Sequence, residues 1–439
     1  MTDDRSHLAR IGLSSARAEA VAETLARCGA ALDAMGAGAE RHSAWIPGRV
    51  ELLGKHTDYA GGRSLLCAVD RGFAVRVATR TDAAVRAIDV TTGERCELPL
   101  DGTASAPAGT WAHHVAIVAR RMARNFPELA RGVDFAFASD LPVAAGMSSS
   151  SALMIAVSVA LAKSNELGAS ETFRTAIATR EELAGYLGSI ENGSSFRMLA
   201  GDAGVGTFGG SQDHVAILCA EPGQVLQFSF APVRREAAYH FPRGHVLAIA
   251  ASGVTAERSA GARDAYDRAA TLVRELLARW NAEAGRDDAS LADAARSDAA
   301  APDRLRATAG ALSAAHRDRL EQFLLESFEL VPAAARVLAH GQPAELGAIV
   351  DRSQEAAEGW LHNQVPETIA LARLARSHGA LAASAFGAGF GGSVWALVAS
   401  DAAADFTRAW HDAYAAEWPD AASRASFFVT PAAGGAQQW

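Results

Sequence analysis

Apolar positions recur at helical spacing through the Ala-rich stretch from Ser14 to Met35, with Ser14 or Ser15 placed to cap it, and they predict an amphipathic helix. Beyond Trp45 the pattern changes. Val50, Leu52 and Leu53 run into a Gly/Lys/His/Thr/Asp turn and Ser64 to Val69 is apolar again, which predicts strand, tight loop, strand. Phe73 to Thr79 and Val85 to Val90 alternate like half-buried strands, and Thr91-Thr92-Gly93 turns the chain into another short one. Gly132 to Ala138 predicts a further strand, left through Ser139-Asp140-Leu141-Pro142, after which small and apolar residues from Gly146 to about Lys163 predict a helix. Between Gly185 and His214 a Gly-rich stretch shows little periodicity, and a loop of that length in a compact domain is expected to be functional. Beyond it the pattern predicts a strand at His245 to Ala251, helices from about Glu257 to Ser377, strands at Leu381 to Ala385 and Ser393 to Val398, and a helix between Asp401 and Ala415. The expected class is α+β, with no internal repeat at a fixed period.

At 439 residues the chain exceeds what one core usually supports, so two domains are expected, 1–230 and 231–439, with the change falling between Pro222 and Arg243. The residues are 49% apolar and 21% charged, the balance of a globular protein. The net charge of -9 and the lack of a basic tract with interleaved aromatics argue against a nucleic-acid partner. Cys28, Cys67, Cys96 and Cys219 are scattered without a CxxC pair and read as buried reduced thiols. No secretory pattern opens the chain and no apolar run is long enough for a membrane span, so a cytoplasmic protein with no membrane partner is expected.

Three glycine-rich segments carry the chemistry. In Leu141-Pro142-Val143-Ala144-Ala145-Gly146-Met147-Ser148-Ser149-Ser150-Ser151-Ala152, strand, small-residue loop and helix start follow in immediate succession. Unpaired N–H groups at a helix start and the aligned peptide dipoles favour an anion, and small side chains let a polyphosphate approach. A capped helix packing closely on its neighbour is the competing reading. No GxxxxGK[ST] occurs, which excludes a P-loop. The segment Gly387-Ala388-Gly389-Phe390-Gly391-Gly392 satisfies GxGxxG formally, but too little chain follows it for a dinucleotide fold. The earliest segment, Pro47 to Gly62, packs Arg49, Lys55, His56, Thr57 and Asp58 around one turn and suits a polyol, whose hydroxyls need donors and acceptors at fixed angles.

Together, Pro-Gly-Arg…Gly-x-His-Thr-Asp-Tyr-x-Gly-Gly, Pro-x-x-x-Gly-x-Ser-Ser-Ser and Gly-Ala-Gly-Phe-Gly-Gly resemble the ordered motifs of the GHMP kinases, the first of them that of galactokinases. The resemblance runs from Trp45 to Val398. It implies a two-domain GHMP kinase architecture, with ATP and Mg²⁺ as cofactors and transfer of the γ-phosphoryl group to a sugar hydroxyl, galactose C1-OH giving galactose 1-phosphate. Gly146, Met147, Ser148, Ser149, Ser150 and Ser151 would form the phosphate loop, with Ser150 and Glu191 on Mg²⁺. About ten extra residues separate Glu191 from Gly209-Gly210-Ser211-Gln212-Asp213, which makes Asp202 an alternative metal ligand. Asp213 matches the catalytic carboxylate and Arg49 its partner. His56, Asp58, Gly210 and Tyr266 resemble sugar-contacting positions, Tyr266 with core packing on a helix as its competing reading.

Two residues depart from the family pattern: Glu51 stands where galactokinases typically have Asn, and Lys55 where they have Glu. An ammonium at Lys55 donates to a hydroxyl, cannot accept from it, and would favour a carboxylate on the substrate. Arabinose or a uronic acid is therefore an alternative acceptor; a compensating Glu51–Lys55 pair that leaves galactose specificity intact is another reading. A non-catalytic sugar and ATP sensor is the rival from a different class. The expected partner is a small sugar, and the expected assembly a monomer or weak homo-oligomer.

Overall fold

The computed structural model describes residues 2–142, 145–254 and 262–439; Val143, Ala144 and the stretch 255–261, which holds the expected helix start near Glu257, lie outside them. The strands are β1 (Arg41–Leu53), β2 (Arg63–Thr79), β3 (Ala84–Asp89), β4 (Arg95–Pro99), β5 (Val133–Ser139), β6 (Gln224–Ser229), β7 (Arg234–His240), β8 (His245–Ala251), β9 (Ala382–Phe386), β10 (Ser393–Ala399), β11 (Ser426–Thr430) and β12 (Gln437–Gln438). One sheet has the order β12-β1-β2-β5-β3-β4, with β6 also on β2 and β7 on β6. Only the β3–β5 pair in it is parallel. The other sheet is antiparallel, β11-β8-β10-β9. β12 pairs with β1, the first strand of the chain.

β1 and β2 are long because they are covered on both faces. From His42 to Leu53 every residue of β1 is buried, so the run lacks the alternation that marks a half-exposed strand. The helix Ser149–Ser164 is apolar all round and buried nearly throughout, as a helix inside a layered core must be. A helix the pattern did not predict, Thr2–Arg10, precedes Ser15–Ala34, whose cap is Ser14, in agreement with its periodicity. The stretch from Gly185 to His214 is not one long loop: its start belongs to the helix Arg180–Asn192, which ends at Gly193 in the left-handed region, and its end to the helix Gln212–Cys219. Helix periodicity was masked there by small residues. A second core, around Trp410 and Tyr414, lies under the antiparallel sheet. Cys28, Cys67 and Cys219 are buried thiols and Cys96 is half-buried; all four are free. No helix among the described residues is long and apolar enough to cross a membrane.

Candidate active site

A cavity of about 750 Å³ opens where the three glycine-rich segments meet. That size suits a pair of small-molecule substrates. Its floor is the start of the helix Ser149–Ser164. Gly146 has φ of 69°, where a side chain would be strained, and Ser148 sits in the same left-handed region at 62°. Ser148 occupies the cap position yet makes no capping hydrogen bond; its hydroxyl donates instead to Asp213 Oδ2. The first-turn N–H groups of the helix are thus not taken by the residue best placed to cap them, which leaves them for an anion.

Arg49, on β1, is buried to 3% exposure. Its Nε donates to Asp213 Oδ1 at 2.7 Å and its Nη1 to the Gly146 carbonyl at 2.6 Å. Asp213 opens the helix Gln212–Cys219 with its side chain one-third exposed to the cavity. Burial alone would raise its pKa, but the Arg49 guanidinium and the Ser148 hydroxyl prevail and hold the carboxyl below its ordinary value. Glu191, at the end of the helix Arg180–Asn192, lines the same cavity and accepts from Ser151 Oγ at 3.0 Å. Burial, with Asp213 and Asp58 adding repulsion, pushes Glu191 up to about 7. His214 Nε2 lies 3.3 Å from Glu191 without hydrogen-bond geometry, and burial pushes the ring down to about 4, so it is neutral. Ser150 faces the cavity, whereas Ser151 turns inward to Glu191. Asp202 is elsewhere: it is bound by Arg120 at 2.7 Å and Arg124 at 2.9 Å and does not line the cavity.

At the other wall stand His56, Asp58, Gly210 and Tyr266. His56 spends both ring nitrogens on the protein, Nδ1 with the Tyr59 hydroxyl at 2.9 Å and Nε2 with the Ala388 carbonyl at 3.0 Å; burial keeps it neutral, down to about 4. It therefore joins the first and third glycine-rich segments. Asp58 Oδ2 accepts from the Gln212 backbone amide at 3.1 Å, and burial raises its pKa above the ordinary value. Gly210 must lack a side chain, because a Cβ there would come within 2.4 Å of that same oxygen. Tyr266 is half-buried rather than a core residue, its ring 5.1 Å from that of His56.

Lys55 does not share this wall. It is 1% exposed and its Nζ donates to Ser353 Oγ at 2.8 Å, away from the cavity. The expected sugar contact of Lys55 is thereby corrected; the alternative, a compensating Glu51–Lys55 pair, takes the form of a charge that, against the upward push of burial, draws the Glu51 carboxyl down without direct contact. No ion pair joins the two among the described residues, and Glu51 instead accepts from Gln212 Nε2 at 2.6 Å. The physical reason is in the second half of the chain. Glu326, on the π-helical turn Leu325–Leu330, accepts from the Gly54 and Lys55 amides at 2.7 and 3.3 Å, and Ser353 Oγ donates to it at 3.0 Å. Gln322 Nε2 donates to the Lys55 carbonyl, and Arg319 to the His56 carbonyl and the Tyr59 hydroxyl. The turn is held by these side chains, and Lys55 supplies the positive charge next to Glu326. Nothing in the local sequence signals that. Also absent from the sequence reading are the apolar residues of the far end of the cavity, Phe73, Trp111, Phe137, Leu141 and Leu153, with Thr91 and Thr92 beside them.

Comparison with known proteins agrees with the three-motif pattern. The galactokinase galactose-binding signature matches residues 37–79, the GHMP kinase N-terminal domain 113–195 and the GHMP kinase C-terminal domain 330–416. A galactokinase of Actinobacillus pleuropneumoniae is 35% identical over 113 residues, 26% of this chain and 29% of that one. The chain thus aligns with about three tenths of the length of the first such relatives. A galactokinase of Chloroflexus aggregans is 28% identical over 381 residues, 84% of this chain and 87% of its own. Among solved structures, Lactococcus lactis galactokinase complexed with galactose superposes with a TM-score of 0.78 at 22% identity, covering 94% of this chain and 98% of that one. Methanococcus jannaschii mevalonate kinase reaches 0.56 at 12% identity, over 89% of this chain and 98% of its own.

Proposed function

Because the chain belongs to the GHMP kinase superfamily and is galactokinase-like in its sugar-binding signature, we propose that its cleft transfers the γ-phosphoryl group of ATP to a sugar hydroxyl, with galactose as the acceptor and galactose 1-phosphate as the product. The observation that carries the proposal is the Arg49–Asp213–Ser148 triangle set between a free helix start and a polyol-binding wall. ATP would lie with its base among Trp111, Phe137 and Leu153 and its phosphates at the start of the helix Ser149–Ser164. Phosphoryl transfer asks a protein mainly to hold its reactants in line and to neutralise charge. Arg49 neutralises charge beside the transferred group, and Asp213, kept ionised by Arg49, takes the proton from the attacking hydroxyl. Asp58, Tyr266 and the Gly210 backbone orient the sugar. His56 fixes the turn that carries Asp58.

The donor set fits Mg²⁺. Ser150 and Glu191 offer oxygen alone, and Glu191 is a buried carboxyl pushed up to about 7, as expected of a site that gains from a cation. Among the described residues no group of three or more His, Cys, Asp or Glu side chains forms a metal cage. When bound, Mg²⁺ would be held by Ser150 and Glu191 and would supply positive charge against the phosphate oxygens. Ser150→Ala is expected to raise the Mg²⁺ concentration for half-maximal rate more than the sugar KM. A Mg²⁺ titration at saturating sugar checks this; if Ser151→Ala moves the metal dependence and Ser150→Ala does not, Ser151 is the ligand.

The acceptor is tested by offering ATP and Mg²⁺ with galactose, arabinose, galacturonate or glucuronate and measuring ADP and sugar phosphate. Asp58, Glu51, Glu191 and Asp213 line the cavity, Arg49 is already paired with Asp213 and Lys55 lies outside, so a uronate meets more acidic than basic groups. Galactose is expected to exceed either uronate in kcat/KM by at least about tenfold, a difference of roughly 1.4 kcal/mol. ADP formation with none of these sugars would remove the transfer reading.

A further inference from the structure

Gln212 is the residue before the carboxylate that takes the proton, and its side chain is 6% exposed with both ends of the amide engaged. Nε2 donates to Glu51 Oε2 at 2.6 Å, and Oε1 accepts from Ser64 Oγ at 2.7 Å. The orientation of the amide follows from chemistry, since a carboxylate facing it accepts and the nitrogen must turn toward it. Its backbone N–H donates to Asp58 Oδ2 at 3.1 Å. One residue on, Asp213 takes Arg49 Nε at 2.7 Å. Arg49 and Glu51 are two positions apart on β1 and so share a face of the strand. They form two adjacent rungs onto the start of the helix Gln212–Cys219: Arg49 to Asp213, Glu51 to Gln212.

We propose that Glu51 and Gln212 are a positioning pair that sets the two acceptor-side carboxylates, Asp58 and Asp213, relative to one another. With only the Arg49 rung, the helix start can pivot about Asp213. The second rung removes that freedom, and the Gln212 amide passes the constraint to Asp58, against which Gly210 is packed without a side chain. The inference rests on the transfer reading, in which the distance between these carboxylates decides whether a sugar held at one presents its hydroxyl to the other. A shift of about 1 Å in such an arrangement costs up to a hundredfold in rate.

The test is a double-mutant cycle of Glu51→Leu and Gln212→Met in the full chain, with galactose and ATP kinetics, and with Glu51→Gln as the conservative variant. Each single change is expected to lower kcat and raise the sugar KM, together by about ten- to a hundredfold in kcat/KM for the sugar. The ATP KM should stay within about twofold, since the nucleotide wall is untouched. The double variant should be no worse than the poorer single one. Glu51→Gln keeps an oxygen for Gln212 Nε2 and should recover most of the loss. Should Glu51→Leu fail to fold, Gln212→Met and Glu51→Gln carry the comparison alone. An active wild type in which Gln212→Met leaves kcat and the sugar KM unchanged, or in which the two losses multiply, overturns the pair alone. A wild type inert toward every sugar overturns it together with the transfer reading.

Discussion

Asp213→Asn is expected to bind ATP with nearly unchanged affinity and to lose about 10²- to 10⁴-fold in kcat, the range that a positioned general base supplies. The shape survives the change. The Asn carbonyl can take the Arg49 Nε–H now received by Oδ1, and Ser148 Oγ can turn from donor to acceptor for the new amide. What disappears is the negative charge and the capacity to take a proton. Acid dependence gives a second measurement. Arg49 holds the Asp213 carboxyl below its ordinary value of 3.8, so the ionised form persists through the usual carboxylate range. The contribution of the Arg49–Asp213 pair to stability is present above the ordinary value and is lost only as pH falls through the depressed one. Wild type and Asp213→Asn should therefore converge in stability at the acid extreme. A variant with near-normal kcat on galactose would take Asp213 out of the chemistry.

The sequence made the site legible where chemistry and local conformation coincide. Gly146 through Ser151, Arg49, Asp58 and Asp213 belong to short segments whose composition already states a turn, a helix start or a carboxylate after glycines, and the fold brings these segments to one cavity. Glu191 was legible as a type but not by spacing, because the chain between it and Gly209 holds a small fold of its own. That insert includes the Phe196–Leu199 bridge and Asp202 tied to Arg120 and Arg124. The pattern also gave β3, β5, β8, β9, β10, the end of β1 and the Ser14-capped helix, and read the continuous β2 as two strands, Ser64 to Val69 and Phe73 to Thr79. It gave neither β11 nor β12, whose partners lie about 180 and about 390 residues away in the chain and whose pairing is tertiary. The direction of a long side chain was least legible of all. Lys55 sits between Gly54 and His56 in a turn whose His56 and Asp58 line the cavity, and only the helices of the second half decide that its ammonium points the other way.

That direction makes Lys55→Glu a test of folding rather than of selectivity. The ammonium donates to Ser353 Oγ, which in turn donates to Glu326; burial pushes Glu51 up to about 7, the Lys55 and Arg49 charges draw it down and Glu326 adds to the rise. Lys55 is thus the cation set among two buried carboxyl groups, Glu51 at 1% and Glu326 at 0% exposure. Reversing it would place a third carboxyl there, with Ser353 Oγ as its one evident donor. Removing one partner from a buried charge arrangement costs about 3–5 kcal/mol, and the new repulsion adds to that. The expected result is a large fall in the denaturation midpoint, with any folded fraction keeping the wild-type ratio of galactose to uronate in kcat/KM. Lys55→Met, which keeps much of the stem and deletes the charge, should lose less than Lys55→Glu, because Glu326 keeps its amide donors from Gly54 and Lys55. Denaturation curves of the three proteins and a two-sugar assay suffice to decide. If Lys55→Glu folds as stably as the wild type and moves preference toward galactose by tenfold or more, roughly 1.4 kcal/mol, the ammonium faces the sugar after all and the clamp from Glu326 and Ser353 is not what orients it.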